Sequence, residues 1–355
     1  MEFEMSALRY MLDHEHTTLA DSDEQQGDPN VYILGELGGL NVVLTYLPGS
    51  QGKAAAATAA QNLERTFQNI KYRFLIGIGG GVPGTQNDVR LGDVVVSKPQ
   101  GNHAGIIQYD LGKDTEDGFT PKGYLQPPPP LLINIAEKMV SDHRVKSKGV
   151  EEFITAMVEK DETLGEYSRP SNRPDIAYKA DYLHKPGETT CRMCGGGAAN
   201  TLLRERRAFK GPKIHYGLIA SGDRVIKSAT KRDEIVKAVG DVLCFEMEAA
   251  GIATGLSYLV IRGISDYADT HKNDDWHFYA AATAAACAKE MIIILASKVS
   301  KPSASADTSL TPGQGPTISA TNYGSGHQAF FQGTGFQNTG SGTISIGGSA
   351  NFHGR

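Results

Sequence analysis

The sequence predicts an α/β fold, a sandwich of helices around a central sheet, followed by a glycine-rich tail. Two patterns carry the fold class. Short strand-like runs alternate with helical patterns over residues 1–300. Several of the runs are continuous stretches of Val, Ile and Leu, the mark of strands buried on both faces. A third observation separates the tail. Glycine contributes 41 of 355 residues, about 12% against a usual roughly 7%. The glycines cluster near 77–84, near 195–197 and most densely after 311.

The elements follow in order. Residues 4–12 pattern as a helix. Strands over 31–36 and 41–47 flank Gly38-Gly39, a hairpin signal. An alanine-rich helix covers 54–67. A buried strand over 72–78 leads to the loop Gly79-Gly80-Gly81-Val82-Pro83-Gly84, and another strand covers 93–97. The proline run 127–130 starts a helix over 131–145. Residues 146–210 are polar and read as an irregular insertion. Regular structure resumes with a strand over 214–219, a helix over 230–239 and a strand over 242–245. A helix over 247–256, a strand over 258–264 and a long alanine-rich helix over 275–299 complete the body.

After Lys301 the chain changes character. Between Pro302 and Gly354 the only fully charged side chain is Asp307. A 16-residue offset relates Asn322 to Asn338, Gly324 to Gly340, Ser325 to Ser341, Gly326 to Gly342 and Phe336 to Phe352, with Phe330 mapping onto Ile346. Low charge, Asn and Gln content and spaced aromatics suit stacked β-structure, with a disordered linker as the alternative. The expected organisation is a globular body over 1–300, a linker over 301–316 and a candidate stacking motif over 317–355.

Composition bounds the function. A net charge of −5 and a pI near 6.1 argue against nucleic-acid binding, which needs a basic face. The sequence is read as having no apolar run of the roughly 18–20 residues a membrane span needs. Met1-Glu2-Phe3-Glu4 has no basic n-region or apolar h-region, so no secretory signal is expected. Cys191, Cys194, Cys244 and Cys287 are too few for a disulfide scaffold in a chain this long, and a reducing, cytoplasmic setting is expected.

Gly79-x-Gly81-x-x-Gly84 formally matches a dinucleotide-binding fingerprint. That fingerprint must open a helix, whereas this loop leads into another strand, so a Rossmann dehydrogenase is set aside. The glycines remain suited to close approach of backbone to a ligand, or to a tight turn alone. Glu246 and Glu248 sit where a strand meets a helix, and Asp266 ends an apolar strand. The carboxyl ends of buried strands are where α/β sheets place ligands, and burial suits a carboxyl to donate a proton. Residue type and position alone leave a capping or ion-pair role open, and favour it. Cys191-x-x-Cys194 lies in the insertion with His184 as the nearest further donor. Structural zinc needs four ligands and there is no second CxxC, so loop thiols and no metal are expected.

Four segments then carry a resemblance: FLIGIGGGVPGTQNDVRLGDVVVS over 74–97, HYGLIAS over 215–221, CFEMEAA over 244–250 and VIRGISDYAD over 260–269. Together they resemble the nucleoside phosphorylase/nucleosidase superfamily, most closely the branch fused to fungal NOD-like receptor-type proteins. The resemblance implies a three-layer α/β/α sandwich with a mixed central sheet. It gives Asp266 the role of protonating the purine N7, and Glu248 that of gripping the ribose hydroxyls with Met247 against the sugar. Val225 and Ile226, with Ser221 just before them, match the base-contacting segment, and Gly79, Gly80 and Gly81 the nucleophile loop. Glu4 matches the glutamate that activates water in hydrolytic members, although the strand that precedes it in the family is missing from this sequence.

Leu75 and Ile78 stand where bacterial-type phosphorylases carry an arginine and a hydroxyl residue for phosphate, which favours attack by water. Arg90, Arg224 and Lys227 are candidate phosphate contacts. Arg224 and Lys227 form a basic cluster with Lys231 and Arg232, for which a solvated helix start is an equal reading. The expected protein is a purine N-glycosidase without cofactor or metal, acting on an adenine nucleoside or nucleotide with ATP as leading candidate. It would serve as an effector in fungal immunity or cell death. The alternatives are a phosphate-dependent phosphorylase and an inactive nucleotide-binding scaffold. The tail resembles fungal amyloid signalling motifs, which implies a NOD-like receptor-type partner, and a homo-oligomer is expected.

Overall fold

The computed structural model describes residues 1–16, 27–47, 51–84, 87–116, 118–145, 149–187, 191, 194, 197–209 and 211–299, and the backbone of 329–332 and 335–338. Two compact units divide at Lys301/Pro302.

The first unit opens with α1 (Glu2–Met11), which buries Met5, Ala7 and Met11. A small antiparallel sheet follows, β1 (His14–Glu15), β2 (Tyr32–Leu37) and β3 (Leu40–Thr45). Gly38 and Gly39 join β2 to β3 with φ of 61° and 82°, the left-handed pair that a two-residue hairpin requires. Next come α2 (Lys53–Thr66), β4 (Phe74–Gly81) and β5 (Val94–Ser97). Three short strands, β6 (Ile106–Gln108), β7 (Gly112–Thr115) and β8 (Gly118–Pro121), were not expected from sequence; β7 is wholly exposed and carries no burial pattern. Helix α3 (Pro130–Val145) begins at the last of the four prolines. The body ends with β9 (Ile214–Ser221), α5 (Ala229–Val239), β10 (Val242–Glu246), α6 (Ala249–Ala253), β11 (Leu259–Asp266) and α7 (His277–Val299). Between α3 and β9 lies α4 (Gly149–Val158).

The central sheet is mixed, with strand order β10-β4-β11-β5-β9-β6. Strand β4 runs parallel to β11, and β9 parallel to β5, β6 and β10; β11–β5 and β10–β4 are antiparallel. Because β10 bonds to both β4 and β9, the sheet curls and closes on itself. Every residue of β5, β10 and β11 is buried, which explains their unbroken apolar runs. Helix α7 packs on β4, β5 and β11, and α1, α3 and α4 pack against α7. On other faces α2 packs against α6, and Ile235 and Val239 of α5 pack with Leu218, Val242 and Phe245.

Three expectations change. The insertion is not irregular throughout: α4 carries Val150, Ile154 and Met157 on one buried stripe, and a 3-10 helix covers Glu162–Tyr167. Gly79–Gly81 belong to β4 rather than to a loop, because neighbouring strands press too closely for side chains there. Helix α7 is long and apolar enough to cross a membrane by length and composition, with mean hydropathy 1.5 over its most apolar window. However, 72% of that window is buried in the body, so its apolarity already has a partner.

In the second unit β12 (Ala329–Gln332) and β13 (Gly335–Asn338) form an antiparallel hairpin, pairing Ala329 with Asn338 and Gln332 with Gly335. Phe330, Phe336 and Asn338 of the 16-residue repeat lie in this hairpin; the repeat's other positions lie outside the described residues.

Candidate active site

The carboxyl ends of β4, β9, β10 and β11 meet at one place. Phe245 pairs with Gly80, Glu246 with Ser221 and Asp266 with Gly80. Gly80 has no room for a side chain, since a Cβ there would lie 2.8 Å from Asp266 Oδ1. One glycine thus brings two strand ends and an acid together.

Asp266 ends β11 and is buried. Its Oδ1 accepts the Ala268 N–H at 2.8 Å, and its Oδ2 accepts from Ser265 Oγ at 2.9 Å and Lys272 Nζ at 2.6 Å. Ala268 is one of two non-glycine residues with positive φ among the described residues, at 51°, and this turn aims its N–H back at the acid. Tyr267, the next residue, is held from the insertion: its hydroxyl meets Asp175 at 2.5 Å and Arg204 Nη1 at 2.6 Å.

A second group of charges surrounds Arg262, a fully buried arginine in the middle of β11. Arg262 Nη2 donates to Glu246 Oε2 at 2.5 Å and Glu248 Oε2 at 3.2 Å. Glu246 also accepts the Glu248 and Ala249 N–H groups at 3.1 and 3.0 Å, capping α6, and so positions Glu248. Burial pushes the Glu248 carboxyl above its ordinary value; Arg262 opposes this, and Glu246 and Glu4 add to it. Glu4 reaches the same place from α1. Its Oε1 accepts the Ile78 N–H at 2.8 Å, and its Oε2 meets the amino group of Met1. A side chain at Gly77 would strike both Arg262 and Glu4, so the strand is bare there for them. Helix α1 is fixed by Phe3, which stacks on His277 at 5.5 Å and whose carbonyl accepts from Tyr167 Oη at 3.1 Å.

Around this centre the remaining residues divide. Met247 is half-buried between Glu246 and Glu248. Ser221 is buried with its hydroxyl accepting the Ala250 N–H at 2.9 Å, so it joins β9 to α6. Val225 is 51% exposed and Ile226 buried, placing an open apolar side chain beside the β9 end. Arg224 lies over the Tyr109 ring at 5.4 Å, and Lys227 is exposed. Arg90 is committed to Asp88 at 2.9 Å and to the Glu205 carbonyl. Arg232 is buried and donates to the Tyr267 carbonyl at 2.8 Å, and Lys231 pairs with Glu234 at 2.8 Å. The basic cluster therefore reduces to Arg224 and Lys227, because the other two have structural partners. A groove lined by His103, Ile106, Gln108, Leu111, Tyr124 and Thr254 lies elsewhere and includes none of the site's carboxylates.

Sequence reasoning gave no role to Arg262, Ser265 or Lys272. Arg262 had a signal, a lone charge inside an apolar strand, which must be paired to be buried. Ser265 and Lys272 had none.

Residues 180–298 match the Phosphorylase superfamily. The structure aligns with a 5'-methylthioadenosine/S-adenosylhomocysteine nucleosidase from Neisseria meningitidis in complex with methylthio-immucillin-A, with TM-score 0.52 and 21% identity, covering 83% of this chain and 96% of that one. The body has the nucleoside phosphorylase/nucleosidase fold. A nucleotide-binding leucine-rich repeat (NLR)-like protein of Hyaloscypha variabilis is 39% identical over 302 residues, which are 84% of this chain and 29% of that protein. A 5'-methylthioadenosine/S-adenosylhomocysteine nucleosidase of Listeria monocytogenes is 34% identical over 102 residues, 26% of this chain and 44% of that enzyme. The chain thus spans less than a third of the NLR-like relative and under half of the Listeria nucleosidase. Within this nucleosidase-fold body the matched span holds β9 to α7, and with them Glu248, Arg262 and Asp266.

Proposed function

We propose that the body hydrolyses the N-glycosidic bond of a purine nucleoside or nucleotide. The carrying observation is the convergence of Glu4, Glu248 and Asp266 on the ends of β4, β10 and β11. An acid and a base separated by a sugar-gripping carboxylate are what the reaction needs. Asp266 delivers a proton to the purine N7, because the purine anion is a poor leaving group. At rest Asp266 is a carboxylate ion-paired to Lys272; the entering purine displaces that ammonium, the carboxylate takes up one proton from solvent, and that proton passes to N7 as the bond to the base breaks. Glu248 holds the ribose hydroxyls and, as a carboxylate, stabilises the positive charge that develops on the sugar. Glu4 accepts a proton from water, whose oxygen bonds to the anomeric carbon as the bond to the base breaks. Arg262 orients Glu246 and Glu248 through its hydrogen bonds to both.

Water is favoured over phosphate as nucleophile. Leu75 and Ile78 offer no charge to a phosphate dianion, and Arg90 is engaged by Asp88. Adenine compounds are supported by the names of the nucleosidase relatives. ATP is our specific candidate, on Arg224 and Lys227 at the rim of the base segment and on its abundance as a target. The NLR-like relative supports a role as an immune effector, with the 317–355 tail as the element that assembles it with like copies or a receptor. A panel of adenosine, 5'-methylthioadenosine, AMP and ATP, with and without phosphate, tests the reading. ATP releasing adenine fastest supports it, and methylthioadenosine as the sole substrate overturns the nucleotide assignment.

A further inference from the structure

Outside the site, one cluster of side chains has no role in the chemistry above. His184, Cys191 and Cys194 come from the insertion, and His271 from the loop after β11. His184 Nδ1 lies 3.1 Å from Cys194 Sγ and 3.6 Å from Cys191 Sγ. Donor atoms of His184, Cys194 and His271 all lie within 4.8 Å of one another. A tetrahedral zinc with bonds of about 2.3 Å to sulfur and 2.05 Å to nitrogen places sulfur and nitrogen about 3.6 Å apart. The His184–Cys191 separation equals that value and the His184–Cys194 one is shorter; Cys191 Sγ, which donates to the His271 carbonyl at 3.4 Å, lies outside the mutual 4.8 Å set and must turn inward to ligate. Independently, His271 is buried and neither of its ring nitrogens has a hydrogen-bond partner among the described residues. A buried imidazole in that condition is costly unless something else takes its lone pair.

We propose that His184, Cys191, Cys194 and His271 form a Cys2His2 site for a borderline-soft divalent cation, zinc by ligand type. Binding converts two thiols to thiolates and releases two protons, so the occupied site is neutral overall. The surroundings suit it. The backbone N–H of His184 donates to Thr270 Oγ1 at 2.9 Å, and Asn273 Nδ2 to the His271 carbonyl at 3.0 Å. Asp269 Oδ1 accepts the backbone N–H of His271 at 2.8 Å and so fixes the loop that carries the ring. The Tyr178 ring stacks on His271 at 3.8 Å and shields the site. The cation joins the insertion to the loop 267–273, whose Lys272 holds Asp266, so it acts as a clamp beside the active site rather than as a catalyst.

The test is metal analysis of the full-length protein purified under reducing conditions and then reconstituted with cobalt. The expected results are about one zinc per chain as purified and, after exchange, intense visible absorption with sulfur-to-cobalt charge transfer typical of a tetrahedral S2N2 site. Cys194→Ser and His271→Ala should each lose the metal and the spectrum, while Cys287→Ser, a buried thiol elsewhere, keeps both. If a ligand variant fails to fold, wild-type reconstitution still decides. Reduced wild-type protein that binds neither zinc nor cobalt stoichiometrically overturns the proposal. So does cobalt binding that shows no sulfur charge transfer, or that survives both ligand variants.

Discussion

Asp266 lies within hydrogen-bond reach of three donors, and the one change that would disturb it without touching its chemistry is at Gly80. A methyl group there would sit 2.8 Å from Asp266 Oδ1 and must push the carboxyl aside. Gly80→Ala should therefore lower kcat by about 10²-fold with the fold retained, since a shift of about 1 Å suffices for such a loss. Circular dichroism and single-turnover base release check this. Asp266→Asn should cost about 10²–10⁴-fold, the usual worth of a positioned acid. Glu248 supplies the pH dependence. Burial holds its carboxyl above the ordinary value, and it must be ionised to stabilise the sugar cation. Activity should then rise with pH through an acid limb lying above the usual glutamate range. Glu248→Gln should remove that limb along with most activity, and a limb at an ordinary glutamate value would contradict the assignment. Glu248 and Asp266 could be placed at strand ends from sequence because each ends or follows an apolar strand, while their proposed roles came from the family resemblance and not from position. His271 was not readable as a partner of Cys194, because only the fold brings loop 267–273 back to the insertion.

Between elements, the insertion is held to the sheet by one charge knot. Asp93, just before β5, accepts from Arg207 at 2.7 Å and meets His215 Nε2 at 2.9 Å, and Arg207 also pairs with Asp88. Burial pushes the Asp93 carboxyl up, but hydrogen bonds from His215 and Arg207 outweigh it and hold it below its ordinary value. A depressed aspartate contributes stability above its unfolded value near about 3.9, and loses it as pH falls through the folded value. Acid melts should show the body weakening below about pH 4. Arg207→Ala should destabilise it at neutral pH by about 2 kcal/mol, the cost of removing one charged partner from a buried carboxylate that keeps His215 and two backbone N–H groups. Chemical denaturation measures that difference, and a loss under about 1 kcal/mol would mean the pair is solvated. The sequence showed most elements because buried strands are unbroken apolar runs. It hid α4, whose stripe of Val150, Ile154 and Met157 is diluted by charges, and β4's last turn, where glycine imitates a loop but answers to crowding by Phe245 and Asp266.

At the scale of the whole molecule, a nucleosidase-fold body is followed by a tail of different composition. The hairpin of β12 and β13 is the tail's described part, and the described core clusters draw on body residues. Deletion after Lys301 should leave the melting temperature and base release of the body unchanged while abolishing higher-order assembly in sedimentation. Loss of activity on deletion would show that the tail builds the site. Around Asp266 the glycines answer to the crowding of strand ends, and the tail's glycine content is a second, separate contribution to the excess. Only composition could be read for the second, because a 16-residue repeat does not reveal its partner. The most direct test of the central claim is product analysis of purified protein incubated with purine nucleosides and nucleotides, with and without phosphate. Free adenine and the matching free sugar, ribose 5-triphosphate from ATP or ribose from adenosine, should be released without phosphate, and neither from Asp266→Asn. Ribose 1-phosphate formed only with phosphate, or no base from any purine compound, would contradict the claim.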